Sequence, residues 1–146
     1  MRIPTLLAAA TLTVTGVLAL GVPGANATSS AQNLKLRETF TKESLSAAKS
    51  FGDHAGYRTT LATHGGAKLG QGYGDCTFLG GGDFQCNETM RLKGGDVYTG
   101  GYYNAKEALC RWTIMGGTGK YRGATGEADF KSVSDTAFDD VLLFRS

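Results

Sequence analysis

The chain has 146 residues, a formal charge of +2 from 15 basic and 13 acidic side chains, and 22 glycines. That length suits one domain with one core. The near balance of charge argues against nucleic acid or an anionic membrane surface as a partner, because both call for a basic face.

Residues 1–27 read as an export signal. Arg2 supplies the positive start, Thr5 to Leu20 is an uncharged apolar run, and Ala25-Asn26-Ala27 is a small-x-small cleavage site. The apolar run covers about 16 residues, short of the roughly 20 that a spanning helix needs, and no cysteine stands at the junction for lipid attachment. Cleavage after Ala27 would release a secreted chain of residues 28–146 that no longer touches the membrane. Both prolines, Pro4 and Pro23, leave with the signal. Thr28 to Asn33 is small and polar and is expected to be a disordered lead-in.

A barrel-like domain is expected over residues 34–146. Leu34 to Phe40 alternates, placing Leu34, Leu36, Glu38 and Phe40 on one face. A carboxylate on an apolar face is the most informative placement in the chain. Ser44 to Lys49 fits either a short helix or a loop. Tyr57 to His64 reads as a strand, Gly65-Gly66 as a two-residue turn, and Lys68 to Phe78 as its partner. After the glycine loop at 79–83, Phe84, Cys86, Glu88, Met90 and Leu92 alternate with polar residues. Gly94-Gly95 turns the chain again. Asp96 to Tyr103, Ala108 to Met115, Gly126 to Val133 and Thr136 to Phe144 complete about eight short strands with no convincing long helix. The pattern predicts an all-β fold: an eight-stranded antiparallel up-and-down barrel, or a two-sheet sandwich, which periodicity cannot tell apart.

Three cysteines remain in the exported chain. Cys76 and Cys86 lie on two strands joined by a glycine loop, so parity and spacing predict a disulfide between them. Cys110 is left as a buried small apolar residue. His54, His64 and the cysteines show no metal-ligand spacing, so no metal is expected.

Glu38 is the candidate catalytic group, since a carboxylate among apolar lumen neighbours loses solvation and becomes apt for proton transfer. Glu88 and Asp140 also fall among apolar neighbours. Phe40, Tyr57, Tyr98, Tyr102, Tyr103 and Trp112 are candidates to line a cavity and orient an apolar ligand. Asn87-Glu88-Thr89 is a glycosylation sequon by pattern, and no Gly-x-Ser-x-Gly elbow supports a nucleophilic triad.

Trp112 to Glu127 packs five glycines into a corner, with Lys120, Tyr121 and Arg122 expected on its solvated side. A phosphate loop would need glycine where Ile114 stands and Ser or Thr where Tyr121 stands. A dinucleotide fingerprint would need glycine in place of Arg122. Gly116-Gly117-Thr118-Gly119-Lys120-Tyr121-Arg122-Gly123-Ala124-Thr125-Gly126-Glu127 instead resembles the corner before the penultimate strand of the allene oxide cyclase and dirigent barrels. Weaker similarity extends over most of Leu34 to Phe144, through Lys68-Leu69-Gly70, Gly74 to Phe78, and Gly94-Gly95-Asp96-Val97 with Gly100.

This resemblance implies an eight-stranded antiparallel barrel, often oligomeric, with an apolar lumen and no cofactor. It also implies a small apolar partner, since members close an epoxide, steer radical coupling or cyclise polyketides by holding a reactive molecule in one conformation. A first-strand glutamate acts in the plant cyclases within Tyr-Glu-x-Asn; the matching run here, Arg37-Glu38-Thr39-Phe40, keeps the acid and replaces the asparagine by Phe40. Cys76 matches a lumen cysteine of those enzymes. Two functions remain open: a cofactor-free cyclase or isomerase in which Glu38 polarises the ligand, and a secreted binding or scaffold barrel without turnover. A roomy lumen holding Glu38 near aromatic rings favours the first, and a plugged lumen the second.

Overall fold

A computed structural model describes residues 33–43 and 45–145. The expected export signal and the lead-in before residue 33 lie outside the described residues. Eight strands follow in order: β1 (Leu34–Glu43), β2 (His54–Ala62), β3 (Lys68–Gly80), β4 (Asp83–Leu92), β5 (Gly95–Asn104), β6 (Leu109–Gly117), β7 (Thr125–Ser134) and β8 (Ala137–Arg145). Each pairs antiparallel with its neighbour, and β1 closes on β8 from Leu34↔Leu142 to Thr39↔Ala137. The fold is a closed barrel, not a sandwich, and closure leaves no open sheet edge.

The alternation read in β1 and β4 is present. Leu36 and Glu38, then Phe84, Cys86, Glu88 and Met90, are buried, while the residues between them face out. β1 runs three residues beyond Phe40, past a register shift between Phe40 and Lys42. Extra residues of this kind bend a strand, as closing a small barrel requires. The ambiguous 44–49 stretch holds one 3₁₀ turn, Leu45–Ala47.

The lumen is stratified. One end is filled by Leu36, Leu61, Met90, Val97, Ile114 and Leu142, each at most 1% exposed. Five polar side chains form the middle layer: Glu38, Thr59, Glu88, Thr99 and Asp140. Beyond it toward the other end lie Trp112, Phe130 and the bonded pair Cys76–Cys86, which face each other directly across β3 and β4. Cys76 is therefore both lumen-facing, as the resemblance implied, and disulfide-bonded. Cys110 is free and buried. Reducing or replacing the disulfide is expected to lower unfolding stability by about 2–3 kcal/mol, the loop-closure entropy of so short a loop. Denaturant titrations with and without reductant measure it; identical midpoints would contradict it.

Candidate functional site: a buried carboxyl cluster under an aromatic mouth

Three strands that are not all neighbours deliver one acid each to the middle layer: Glu38 from β1, Glu88 from β4 and Asp140 from β8. They are 3%, 2% and 0% exposed. Seven buried side-chain oxygens, on these acids and on Thr59 and Thr99, have no ordinary donor or acceptor partner among the described residues. Buried polar groups almost always find partners. Glu38 lies in side-chain contact with Glu88, Thr59 and Asp140, and a hydrogen bond between two carboxyls there requires a proton on one of them.

The electrostatics agree. Burial pushes the Glu38 carboxyl up, while hydrogen bonds with Glu88, Thr59 and Asp140 pull it partly back. Burial pushes Glu88 and Asp140 well above the ordinary range, and the negative charge of Glu38 adds to both shifts. All three carboxyls therefore hold protons above the ordinary range, and the cluster titrates as a unit in which a neutral acid can donate to an ionised neighbour. The Tyr57 hydroxyl is also pushed well up, first by burial and then by the three acids, so it remains a proton donor.

Gly72 makes room for the cluster. A Cβ there would collide with Glu88 Oε1 and Thr59 Oγ1 and stand 3.2 Å from Glu38 Oε1. Gly72→Ala is expected to cost about 1–3 kcal/mol through overpacking. An unchanged unfolding midpoint would mean the cluster has slack to absorb a methyl group.

Above the cluster the lumen opens through aromatic rings. Tyr57, Phe40, Phe138, Tyr103, Phe84 and Phe78 form a chain of successive contacts with centroid separations of 5.2, 5.7, 6.3, 6.0 and 5.1 Å. Such pairs hold each other at mostly tilted or edge-on angles and resist collapse into the space between them. From Phe40 to Phe78 these rings line a vestibule of about 500 Å³, with Glu43, Lys49 and Asp135 on its rim. Below it a narrower cavity of about 30 Å³ is lined by Glu38, Tyr57, Trp112, Phe130 and the three cysteines. Phe40, Leu45, Tyr103 and Phe138 line both spaces, so one leads into the other. Among the three acids only Glu38 lines the inner cavity.

A family model described as the allene oxide cyclase barrel-like domain matches residues 33–142, which span all of the strands but the end of β8. The chain belongs to this family. No curated protein matches it significantly by sequence. Among solved structures it is similar to a pyocyanin demethylase (TM-score 0.69, 21% identity, covering 77% of this chain and 99% of that one). It is also similar to AbnU, described as an exo-specific intermolecular Diels–Alderase (0.62, 15%, 77% and 95%). A third is a pterocarpan synthase dirigent protein (0.62, 18%, 75% and 84%). At these identities the likeness carries the fold alone.

In this allene oxide cyclase-like barrel, Glu38, Phe40, Tyr57, Tyr103 and Trp112 come together around the inner cavity, and Cys76–Cys86 forms part of its wall. Trp112 is fixed by its indole N–H donating to the Tyr102 carbonyl at 2.9 Å and by Phe130, 4.6 Å away. Tyr98 and Tyr102 correct the sequence expectation. Both point outward, Tyr102 at 44% exposure, because Val97 and Thr99 take the inward positions of β5. Tyr121 is a second correction: it leaves the solvated side of the corner, is 7% exposed and stacks on Phe144 at 5.8 Å. His54 and His64 stand outside, facing Asp75 at 3.4 Å and Asp139 at 3.2 Å. Sequence reasoning missed Phe78, Phe84 and Phe138 as mouth residues. Their inward phase relative to Cys76, Cys86 and Asp140 was the signal that marks them.

Proposed function

We propose that the chain is an exported barrel that binds a small, largely apolar molecule at its mouth and acts on it as a cofactor-free cyclase or isomerase. The observation that carries this reading is the aromatic vestibule leading to Glu38, the one of the three clustered acids that lines the inner cavity. The ligand body rests against Phe40, Phe78, Phe84, Tyr103 and Phe138, and one polar group enters the narrow cavity toward Glu38 and Tyr57. There the Tyr57 hydroxyl donates to a ligand oxygen or nitrogen, and Glu38 takes or returns a proton. Glu88 and Asp140 hold the Glu38 charge by hydrogen bonds. The rings restrict the ligand to one conformation, and orientation then selects the product. The apolar, cleavable stretch of residues 1–27 and the disulfide support an extracellular setting.

A second reading, a binding barrel without turnover, is favoured by the inner cavity's size. About 30 Å³ admits a water or two or a single functional group, not a ligand body. Both readings require a molecule at the mouth. Native mass spectrometry of protein purified from culture medium is expected to show a co-purifying small molecule. Phe138→Ala is expected to weaken its retention about tenfold, the worth of a lost ring contact. Retention untouched by Phe138→Ala would move the ligand elsewhere.

A further inference from the structure

The end of the barrel opposite the mouth carries a second hollow. The starts of β1 and β3, the turn at 92–94 and residues 120–121 of the glycine corner surround a bowl of about 500 Å³. Leu34, Leu69, Leu92 and Tyr121 form its apolar surface, and Lys68, Lys93 and Lys120 stand around it. It shares no lining residue with the vestibule or the inner cavity. The sealed layer of Leu36, Met90 and Leu142 lies between them.

The bowl is a built feature. The Lys120 N–H donates to the Gly94 carbonyl at 2.9 Å, and Thr118 N–H to the Asp96 carbonyl at 2.9 Å. The Asp96 N–H in turn donates to Thr118 Oγ1 at 2.9 Å. The two loops approach so closely that a Cβ on Gly119, at φ 55°, would strike the Gly94 carbonyl oxygen. Lys93 and Lys120 are thus presented by backbones tied to each other, and Tyr121 is held by Phe144 and by Lys120, whose Nζ stands 4.8 Å over its ring. None of the three lysines has an ion-pair partner among the described residues. The mouth differs, with Glu43 and Asp135 beside Lys49.

We propose that this bowl is a second binding site, for a free single-chain amphiphilic anion whose aliphatic part covers Leu34, Leu69, Leu92 and Tyr121 while its carboxylate or similar head sits among Lys68, Lys93 and Lys120. A bilayer is the less suitable occupant. The surface is concave, and no large exposed apolar side chain stands on the loops of this end: Phe51, Leu79, Leu109 and Val133 belong to the mouth end, and Tyr102 and Met115 to the outer wall. The lysine stems extend the apolar wall while their heads remain in water.

Titration calorimetry with monomeric dodecanoate tests the site, with amide NMR shifts to locate it. Wild-type protein is expected to bind one dodecanoate with shifts at Leu34, Leu69, Gly94 and Tyr121. Replacing all three lysines by glutamine (K68Q, K93Q and K120Q) is expected to weaken binding at least about tenfold, as is substituting neutral dodecanol, because charge-assisted contacts are lost. Phe138→Ala at the mouth is expected to leave this binding unchanged. Three results would overturn the proposal: no binding, binding unaffected by the lysine substitutions, or shifts confined to the mouth. Lysine-dependent flotation with phosphatidylglycerol vesicles in the absence of dodecanoate binding would assign the surface to a membrane instead.

Discussion

Glu38→Gln is expected to leave the mouth ligand bound within about threefold and to slow its conversion about 100-fold, the lower end of what a positioned general acid or base contributes. Glutamine fills the same space and keeps an acceptor for Glu88, Asp140 and Thr59, so the barrel stays folded while the group able to take or return a proton is lost. The check is a time course of the co-purifying molecule incubated with wild type and variant, followed by mass spectrometry and chromatography. In the wild type the rate should rise with pH as Glu38 loses its proton, at a pH above that of an ordinary glutamate because burial pushes this carboxyl up. Equal turnover in the variant would remove Glu38 from the chemistry. Equal but negligible turnover in both, with tight binding, would favour the non-catalytic barrel.

The second large effect is on stability against pH. Glu38, Glu88 and Asp140 all hold their protons more tightly folded than unfolded. For a carboxyl shifted upward the folded state binds the extra proton, so its contribution is fully present below the unfolded pKa and is lost as pH rises through the folded one. Each unit of upward shift corresponds to about 1.4 kcal/mol. The barrel is therefore expected to be most stable in mild acid and to weaken toward neutral and alkaline pH. Asp53 and Asp139 act in the opposite sense, Asp53 lowered by backbone donors from Ser50 and Lys49 and Asp139 by Arg37. Both are only partly buried and reach solvent, so their effect is screened, small and confined to strong acid. Glu88→Gln should raise the midpoint of thermal unfolding at alkaline pH by several degrees, at about 4–8 °C per kcal/mol for a domain near this size, and should flatten the slope. Thermal unfolding from mild acid to alkaline pH measures this. A stability that rises with pH, or a destabilised Glu88→Gln, would contradict it.

Local alternation was enough to place Glu38 on the inner face of β1 and Glu88 on that of β4, because neighbouring apolar residues fix the phase of a strand with period two. Two glycines, Gly65 and Gly66, marked the first hairpin, and opposed cysteines marked β3 against β4. Only the resemblance of the glycine corner implied the closed barrel. Periodicity did not reveal closure, since the pairing of β1 with β8 joins residues about a hundred positions apart and no local pattern encodes it. For the same reason the meeting of Glu38, Glu88 and Asp140 was invisible, since it depends on how three strands stagger around the barrel. Tyr98 and Tyr102 were misplaced because β5 runs Tyr98-Thr99-Gly100-Gly101-Tyr102-Tyr103, putting tyrosine and glycine on both faces, which gives hydrophobicity no phase to read. Gly101 is inward there because Trp112 from β6 covers it, and a Cβ at that position would meet the indole ring. Tyr121 was misplaced because Lys120 and Arg122 make its surroundings look solvated in sequence, while packing on Phe144 decides its position.

The most direct measurement is ¹³C NMR of carboxyl-labelled glutamate and aspartate through a pH titration, with Glu38→Gln, Glu88→Gln and Asp140→Asn for assignment. The expected result is that the Glu38, Glu88 and Asp140 signals remain protonated after the exposed carboxyls have ionised, in the direction that burial pushes all three. Three carboxyls that ionise together with the exposed ones would mean that water reaches all of them, and the proton-sharing cluster beneath the aromatic mouth would not exist.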